Sequence, residues 1–240
     1  MTLYKFKELF KFKQFDIYQD LSAMKVGTDG VLLGAWASVL VAKRILDIGS
    51  GTGLIALMAA QRNAKAKIEA IEIDKMAYEQ AQYNFYKSPW ANRLKIFLTS
   101  LQAYKTDQKY DVIISNPPFF EVNDKVLNDS RKVARQTQEL SIEDLVKFSS
   151  KLLEKNGMIS YILPIHKEND IKKLAKKYNL FPTKITYVKG HKNAPIKRLL
   201  ISMTNVPVQN ILIDELVIEI KRHKYTDAYK NLTQEFYFNM

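Results

Sequence analysis

The sequence predicts an α/β protein built on one doubly wound, mainly parallel sheet of seven strands. Three observations predict it. From residue 44 onward, apolar strand-like runs alternate with helical patterns, the order that produces parallel strands joined by crossover helices. A glycine-rich segment, Leu46-Asp47-Ile48-Gly49-Ser50-Gly51-Thr52-Gly53, follows the first of these runs and opens a helix. An acidic residue, Glu72, ends the next run. In such sheets ligands bind outside the carboxyl ends of the strands, near the point where strand order reverses, so the chemistry is expected on that edge.

Taken in order, Arg44 to Ile48 reads as a strand, Gly53 to Arg62 as a helix, Lys67 to Ile73 as a strand and Lys75 to Tyr86 as a helix. Leu94 to Leu98 and Tyr110 to Ser115 are further strands. Ile142 to Glu154 is a helix that Asn156-Gly157 closes as a C-cap. Met158 to Leu163 is a strand, Lys167 to Tyr178 a basic amphipathic helix, and Thr183 to Val188 and Lys197 to Met203 two strands around a Gly/His/Asn/Pro turn. The expected organisation is one domain over residues 1–240: a segment 1–34, a core 35–204 and an extension 205–240 that contains the strand-like run Ile211 to Ile220.

The bulk properties bound the function. The chain has 240 residues, 47% hydrophobic and 26% charged, an ordinary globular balance. No apolar run approaches the ~20 residues that span a bilayer. The first residues alternate basic and aromatic side chains, without the apolar block of a signal peptide. Zero cysteines and three histidines leave no thiolate metal site and little for any metal centre. These features lead us to expect a cytoplasmic protein without metal or membrane partner, and a monomer is compatible with them. The net charge of +12, with a sequence pI of about 9.5, favours a polyanionic partner such as nucleic acid, although a Lys-, Asn- and Ile-rich composition also arises from genomic base bias.

The glycine segment lets the backbone turn sharply and approach a ligand, while the helix after it presents amide dipoles. A carboxylate at Glu72 suits the two hydroxyls of a ribose. A nicotinamide or flavin site would need its third glycine at position 54, which is Leu54. Asp47, directly before the loop, would repel a pyrophosphate but can face an amino group. The spacing therefore favours a nucleoside that carries no phosphate.

Asp111-Val112-Ile113-Ile114-Ser115-Asn116-Pro117-Pro118-Phe119-Phe120 places a polar-proline corner directly after an apolar strand, on the same carboxyl edge. The prolines hold Asn116 extended. An exocyclic amine conjugated to a ring is a poor nucleophile because its lone pair is delocalised. Hydrogen bonds from its N–H groups to the Asn116 side-chain oxygen and the Pro117 carbonyl would favour a pyramidal nitrogen whose lone pair points at a methyl donor. Phe119 would stack on the planar acceptor. A strand-ending turn with Phe119 and Phe120 in the core is the plain alternative.

Asp47 to Gly53, Glu72 and Asn116 to Phe119 together resemble the class I, S-adenosylmethionine-dependent methyltransferases of the amino type. Phe12-Lys13-Gln14-Phe15, the stretch Ala23 to Trp36 (AMKVGTDGVLLGAW), and Ser88-Pro89-Trp90-Ala91 narrow the likeness. They resemble the bacterial tRNA1(Val) adenine N6-methyltransferase family, which modifies the adenosine just 3′ of the anticodon. The likeness runs over about residues 10 to 204. It implies a Rossmann-like fold, with Asp47, Gly49, Gly51 and Gly53 around the methionine part of the cofactor and Glu72 on its ribose. Lys25 and Thr28 would lie near the cofactor carboxylate in a segment that covers the pocket, and Asn116, Pro117 and Phe119 would take a flipped adenine. Where these enzymes commonly carry an Asp on the cofactor adenine, this chain has Leu98-Thr99-Ser100-Leu101, which leaves Ser100 for that contact.

The expected RNA surface comprises Lys172, Lys173, Lys176, Lys177, Lys184, Lys189, Lys192, Lys197 and Arg198. Lys11 and Lys13, interleaved with Phe10, Phe12 and Phe15, form a second candidate. His166 and His191 read as surface residues, since the reaction needs no histidine. Three rivals share the corner's logic or its fold: glutamine methylation of release factors, guanine N2-methylation of ribosomal RNA, and an inactive RNA-binding homologue. Net charge and the segment Met24 to Trp36 argue against the first. Phe120 stands where the second tends to have a histidine, and the intact loop and corner argue against the third.

Overall fold

The computed structural model describes residues 7–118 and 140–238. A small hairpin of β1 (Leu9–Lys11) and β2 (Asp16–Tyr18) leads into α1 (Thr28–Trp36). The core then runs β3 (Arg44–Ile48), α2 (Leu54–Arg62), β4 (Lys67–Glu72), α3 (Lys75–Lys87), β5 (Leu94–Leu98) and β6 (Tyr110–Ser115). It continues with α4 (Ile142–Leu152), β7 (Leu153–Pro164), α5 (Glu168–Lys177), β8 (Phe181–His191) and β9 (Ile196–Thr204). The last residues add β10 (Leu212–Lys221), β11 (Lys224–Tyr225) and α6 (Asp227–Thr233).

The main sheet has the order β11-β10-β8-β9-β7-β6-β3-β4-β5. Strands β3 to β7 pair in parallel, β9 runs antiparallel between β7 and β8, and β10 lies parallel to β8. The seven expected strands are all present. The sheet reaches nine because β10 and β11, set aside as an extension, pair onto its edge. The run Ile211 to Ile220 carries Asp214, Glu215 and Glu219 among apolar residues, and β10 is mostly exposed, with only Leu216 buried.

Period-2 alternation divides the central strands between two cores. Val112 and Ile114 of β6 belong to one cluster and Ile113 to the other, all almost fully buried. Leu145 and Val146 of α4 and Ile171 and Ala175 of α5 fill one face. Helices α1 and α2, with Phe85 of α3, cover the other together with both chain ends: Phe12, Phe15 and Ile17 meet Tyr229 and Phe236.

Two local expectations change. Gly53 caps α2 from outside the helix, in the left-handed region at φ 83°. Asn156-Gly157 does not cap α4, which ends at Leu152. Tyr110 pairs with Leu153 and Val112 with Met158, so the residues between loop out of β7 as a bulge, with Asn156 at φ 64°. Asn205 clamps this bulge, donating from Nδ2 to the Glu154 carbonyl at 2.9 Å and accepting the Asn156 amide at 3.0 Å.

Chain order explains where the site must lie. From β3 the chain moves outward through β4 and β5, then returns to the other flank of β3 as β6. The reversal leaves a crevice between the carboxyl ends of β3 and β6. Ile48 and Ser115 are paired there, and the Ser115 hydroxyl donates to the Ile48 carbonyl at 2.8 Å. The glycine loop and Asn116 therefore leave the sheet side by side.

Candidate active site

A cavity of about 300 Å³ opens at this crevice, at the small end of the ~300–1,000 Å³ typical of small-molecule pockets. Gly49 and Gly51 of the loop, Asn116, and Lys25 and Thr28 of the N-terminal segment all line it. The structure thus brings together five of the residues expected to meet cofactor or acceptor. Pro117 is buried directly behind Asn116. Phe119, expected to stack on the acceptor, lies outside the described residues, as does Phe120.

The loop is held from below by carboxylates. Glu72 accepts the Gly51 amide at 2.8 Å on one oxygen, and the Ile73 and Asp74 amides at 2.8 and 2.9 Å on the other. Gly49 and Ser50 donate to the Ile71 carbonyl at 2.9 and 3.2 Å. Gly51 sits at φ 57° with open space where a side chain would project, so the cavity wall there is bare backbone. Gly53 is constrained from the other side, since a Cβ would fall 2.6 Å from the Phe85 ring.

Asp47 lies one layer behind the lining. It is fully buried, and its Oδ2 accepts the Ser50 hydroxyl at 2.8 Å. Burial pushes its carboxyl up to about 7; the nearby Glu72 carboxylate adds to the rise, and the Ser50 hydroxyl and Ala56 amide offset part of it. Its Oδ1 is buried without a hydrogen bond within normal reach.

Helix α1 begins at Thr28 with Gly27 at its N-cap and no side-chain cap, and Thr28, Asp29 and Gly30 line the cavity. Free amides at a helix start attract a carboxylate. Lys25 lines the cavity, but its ammonium reaches both Glu8 oxygens at 2.6 and 2.7 Å. Asp29 accepts Arg198 Nε of β9 at 2.7 Å. Ser100 is not among the lining residues: its hydroxyl accepts the Ala103 amide at 3.2 Å and caps the turn after β5.

Asn84 and Gln80, both fully buried on α3, escaped the sequence reading. Asn84 donates to the Tyr18 and Thr52 carbonyls at 2.9 and 2.8 Å and accepts the Tyr18 amide, so it ties the N-terminal hairpin to the glycine loop. Gln80 accepts the Leu21 amide at 3.0 Å. Polar residues at helical spacing among the buried positions of α3, beside Ala77, Ala81 and Phe85, were the signal that could have found them.

Several expected RNA contacts are already committed. Lys172 pairs with Glu168, Lys177 with Glu143, Lys184 with Asp214 and Lys189 with Glu215. Lys173, Lys176, Lys192 and Lys197 form no ion pair among the described residues, and all four are exposed. Around Lys11 and Lys13 the aromatic residues are structural: Phe12 and Phe15 stack at 4.7 Å in the core, and Lys13 Nζ donates to the Gln234 carbonyl at 2.6 Å. Among the described residues no helix is long and apolar enough to cross a membrane.

The family model of the methyltransferase small domain matches residues 26–179. An O-methyltransferase of Agrobacterium tumefaciens, itself assigned by prediction, superposes with TM-score 0.69 at 18% identity, over 87% of this chain and 96% of that one. Pyrococcus horikoshii TYW2, solved in complex with MeSAdo, superposes with TM-score 0.59 at 13% identity, over 82% and 71%. The sheet, with a glycine loop and an Asn-Pro-Pro corner on one edge, is the Rossmann-like fold of class I methyltransferases. A curated tRNA1(Val) (adenine(37)-N6)-methyltransferase of Flavobacterium johnsoniae is 48% identical over 235 residues, 97% of this chain and 100% of that protein. The chain belongs to this tRNA1(Val) (adenine(37)-N6)-methyltransferase family. The alignment also corrects the expected extent of the likeness, which continues past residue 204 through the tail.

Proposed function

We propose that the protein transfers a methyl group from S-adenosylmethionine to the N6 amino group of adenine 37 in tRNA1(Val), in the cytoplasm. The observation that carries this reading is the juxtaposition of Asn116 with Gly49 and Gly51 around one cavity, in a chain of this family. When bound, S-adenosylmethionine supplies an electrophilic methyl on a sulfonium.

The residues present fit that cofactor. The bare backbone at Gly51 admits a ligand closely, and the uncapped start of α1 suits its carboxylate. Asp47 and Glu72 do not line the cavity; they support it from one layer behind, Glu72 by holding the Gly51 amide and Asp47 by holding the Ser50 hydroxyl. Asn116 and the Pro117 carbonyl accept the two N–H groups of the adenine amine and orient its lone pair, and Phe119 stacks on the base. No side-chain base is required, because the proton leaves after transfer. An adenine beside the anticodon is held loosely in its loop, so extruding it costs little. We read residues 1–240 as one domain whose tail completes the same sheet.

Incubation with labelled S-adenosylmethionine and unmodified tRNA, followed by nucleoside analysis, is expected to yield N6-methyladenosine. Recovery of N2-methylguanosine, or RNA without label, overturns the assignment. Asn116→Ala is expected to abolish transfer while cofactor binding, read by calorimetry, persists. Equal loss of both would make the corner structural.

A further inference from the structure

We propose that Lys192 and Lys197, on the hairpin between β8 and β9, grip phosphates of the RNA strand that carries the target adenine. The inference rests on the tRNA reading above and selects, from nine candidate cations, the two that its geometry favours.

Charge bookkeeping narrows the field first. Four of the lysines spend their charge on Glu or Asp neighbours at 2.6–3.5 Å, and Arg198 spends its own on Asp29. A cation already paired gains less from a phosphate, because the existing pair must be broken. Lys173, Lys176, Lys192 and Lys197 remain.

Topology then separates these four. Strand β7 runs parallel to β6, with Tyr161 opposite Ser115, and ends at Pro164 beside Arg198 of β9. The turn between β8 and β9 therefore projects past the same sheet edge from which Asn116 leaves. It is closed by the Ala194 amide on the His191 carbonyl at 2.9 Å, with Lys192 inside the turn and Lys197 near the start of β9. Arg198, next in the chain but on the opposite face of β9 from Lys197, reaches Asp29 on the wall of the cavity. Helix α5 leaves that edge at Glu168 and carries the chain back toward the opposite one. At 1.5 Å per residue, Lys173 and Lys176 lie roughly 7 and 12 Å farther along its axis. Exposed cations on the edge from which Asn116 leaves meet phosphates that flank an extruded base; those toward the far end of α5 do not.

The test is binding of a dye-labelled anticodon stem-loop RNA to the full chain, read by fluorescence anisotropy across a salt series. Replacing both Lys192→Ala and Lys197→Ala is expected to weaken binding about tenfold. The dependence of log K on log salt should flatten by ~1.4, as for two lost phosphate contacts on a single strand. Cofactor affinity should hold. The pair Lys173→Ala and Lys176→Ala is expected to change RNA affinity less than twofold. Wild-type affinity in the hairpin variant, or an equal loss in the α5 variant, overturns the proposal. A wild-type protein that binds the stem-loop but methylates no RNA overturns the reaction assignment instead, and the variants still decide the hairpin's role. Failure of the wild type to bind RNA overturns both.

Discussion

At the residue scale, Asp47 has a measurable consequence apart from catalysis. Its carboxyl rises from an ordinary 3.8 to about 7, so the native state holds a proton that the unfolded state releases. The stability this group contributes is complete below about pH 4 and is lost as pH rises toward 7. In cofactor-free protein, urea unfolding at pH 5 and pH 8 should show the wild type losing on the order of 2 kcal/mol relative to Asp47→Asn. Parallel behaviour of the two proteins would mean that the buried carboxyl is relieved by water or by motion. Gly53 gives a second prediction, because its φ of 83° and the Phe85 ring both oppose a side chain. Gly53→Ala should cost about 2–3 kcal/mol in denaturant unfolding, and Gly49→Ala, with open space beside it, about 1 kcal/mol. Equal costs would show that the ring moves aside. The glycine loop and the Asn116 corner were legible because both are local: turn chemistry and proline constraint act within a few residues. The links from Glu72 to Gly51 and from Asn84 to Tyr18 span separate elements, and nothing within either short segment announces its partner.

At the scale of elements, the helices and strands between residues 44 and 115 follow their hydrophobic pattern closely, because each is buried on faces its periodicity already declares. The misreading at Asn156-Gly157 has a different origin. The dipeptide asks for a left-handed turn, and a helix end and a strand bulge both supply one; pairing with β6 decides for the bulge. The tail was the least legible part, since a mostly exposed strand shows its role only once β8 is beside it. Its weight in the fold is testable. Phe236 is 1% exposed and its carbonyl accepts the Lys13 amide at 2.8 Å. Phe236→Ala should lower unfolding free energy by about 3–4 kcal/mol. A loss below about 1 kcal/mol would mean that the tail only decorates the domain.

At the scale of the whole molecule, the charge of +12 and the cavity act on different ligands. RNA binding displaces counterions and should weaken at least about tenfold between 50 and 200 mM salt. Cofactor binding, through a small pocket and fixed dipoles, should change less than twofold over the same range. Parallel loss would show that salt acts on the fold. Charge pointed to the kind of partner but not to the surface, because which lysines remain unpaired depends on acidic neighbours brought together only by folding. Glu215 beside Lys189 and Glu143 beside Lys177 are cases in point.

The contact between Lys13 and Phe236 also sets an order of events during synthesis. The hairpin that leads into the cavity-lining segment is translated long before the aromatic residues it packs against, which include Tyr237 at 5.7 Å from the Phe12 ring. Its final seating must wait for Phe236, more than two hundred residues farther along the chain. A nascent chain halted before residue 236 should therefore remain open to protease around residues 10–20, even where the central sheet has already formed.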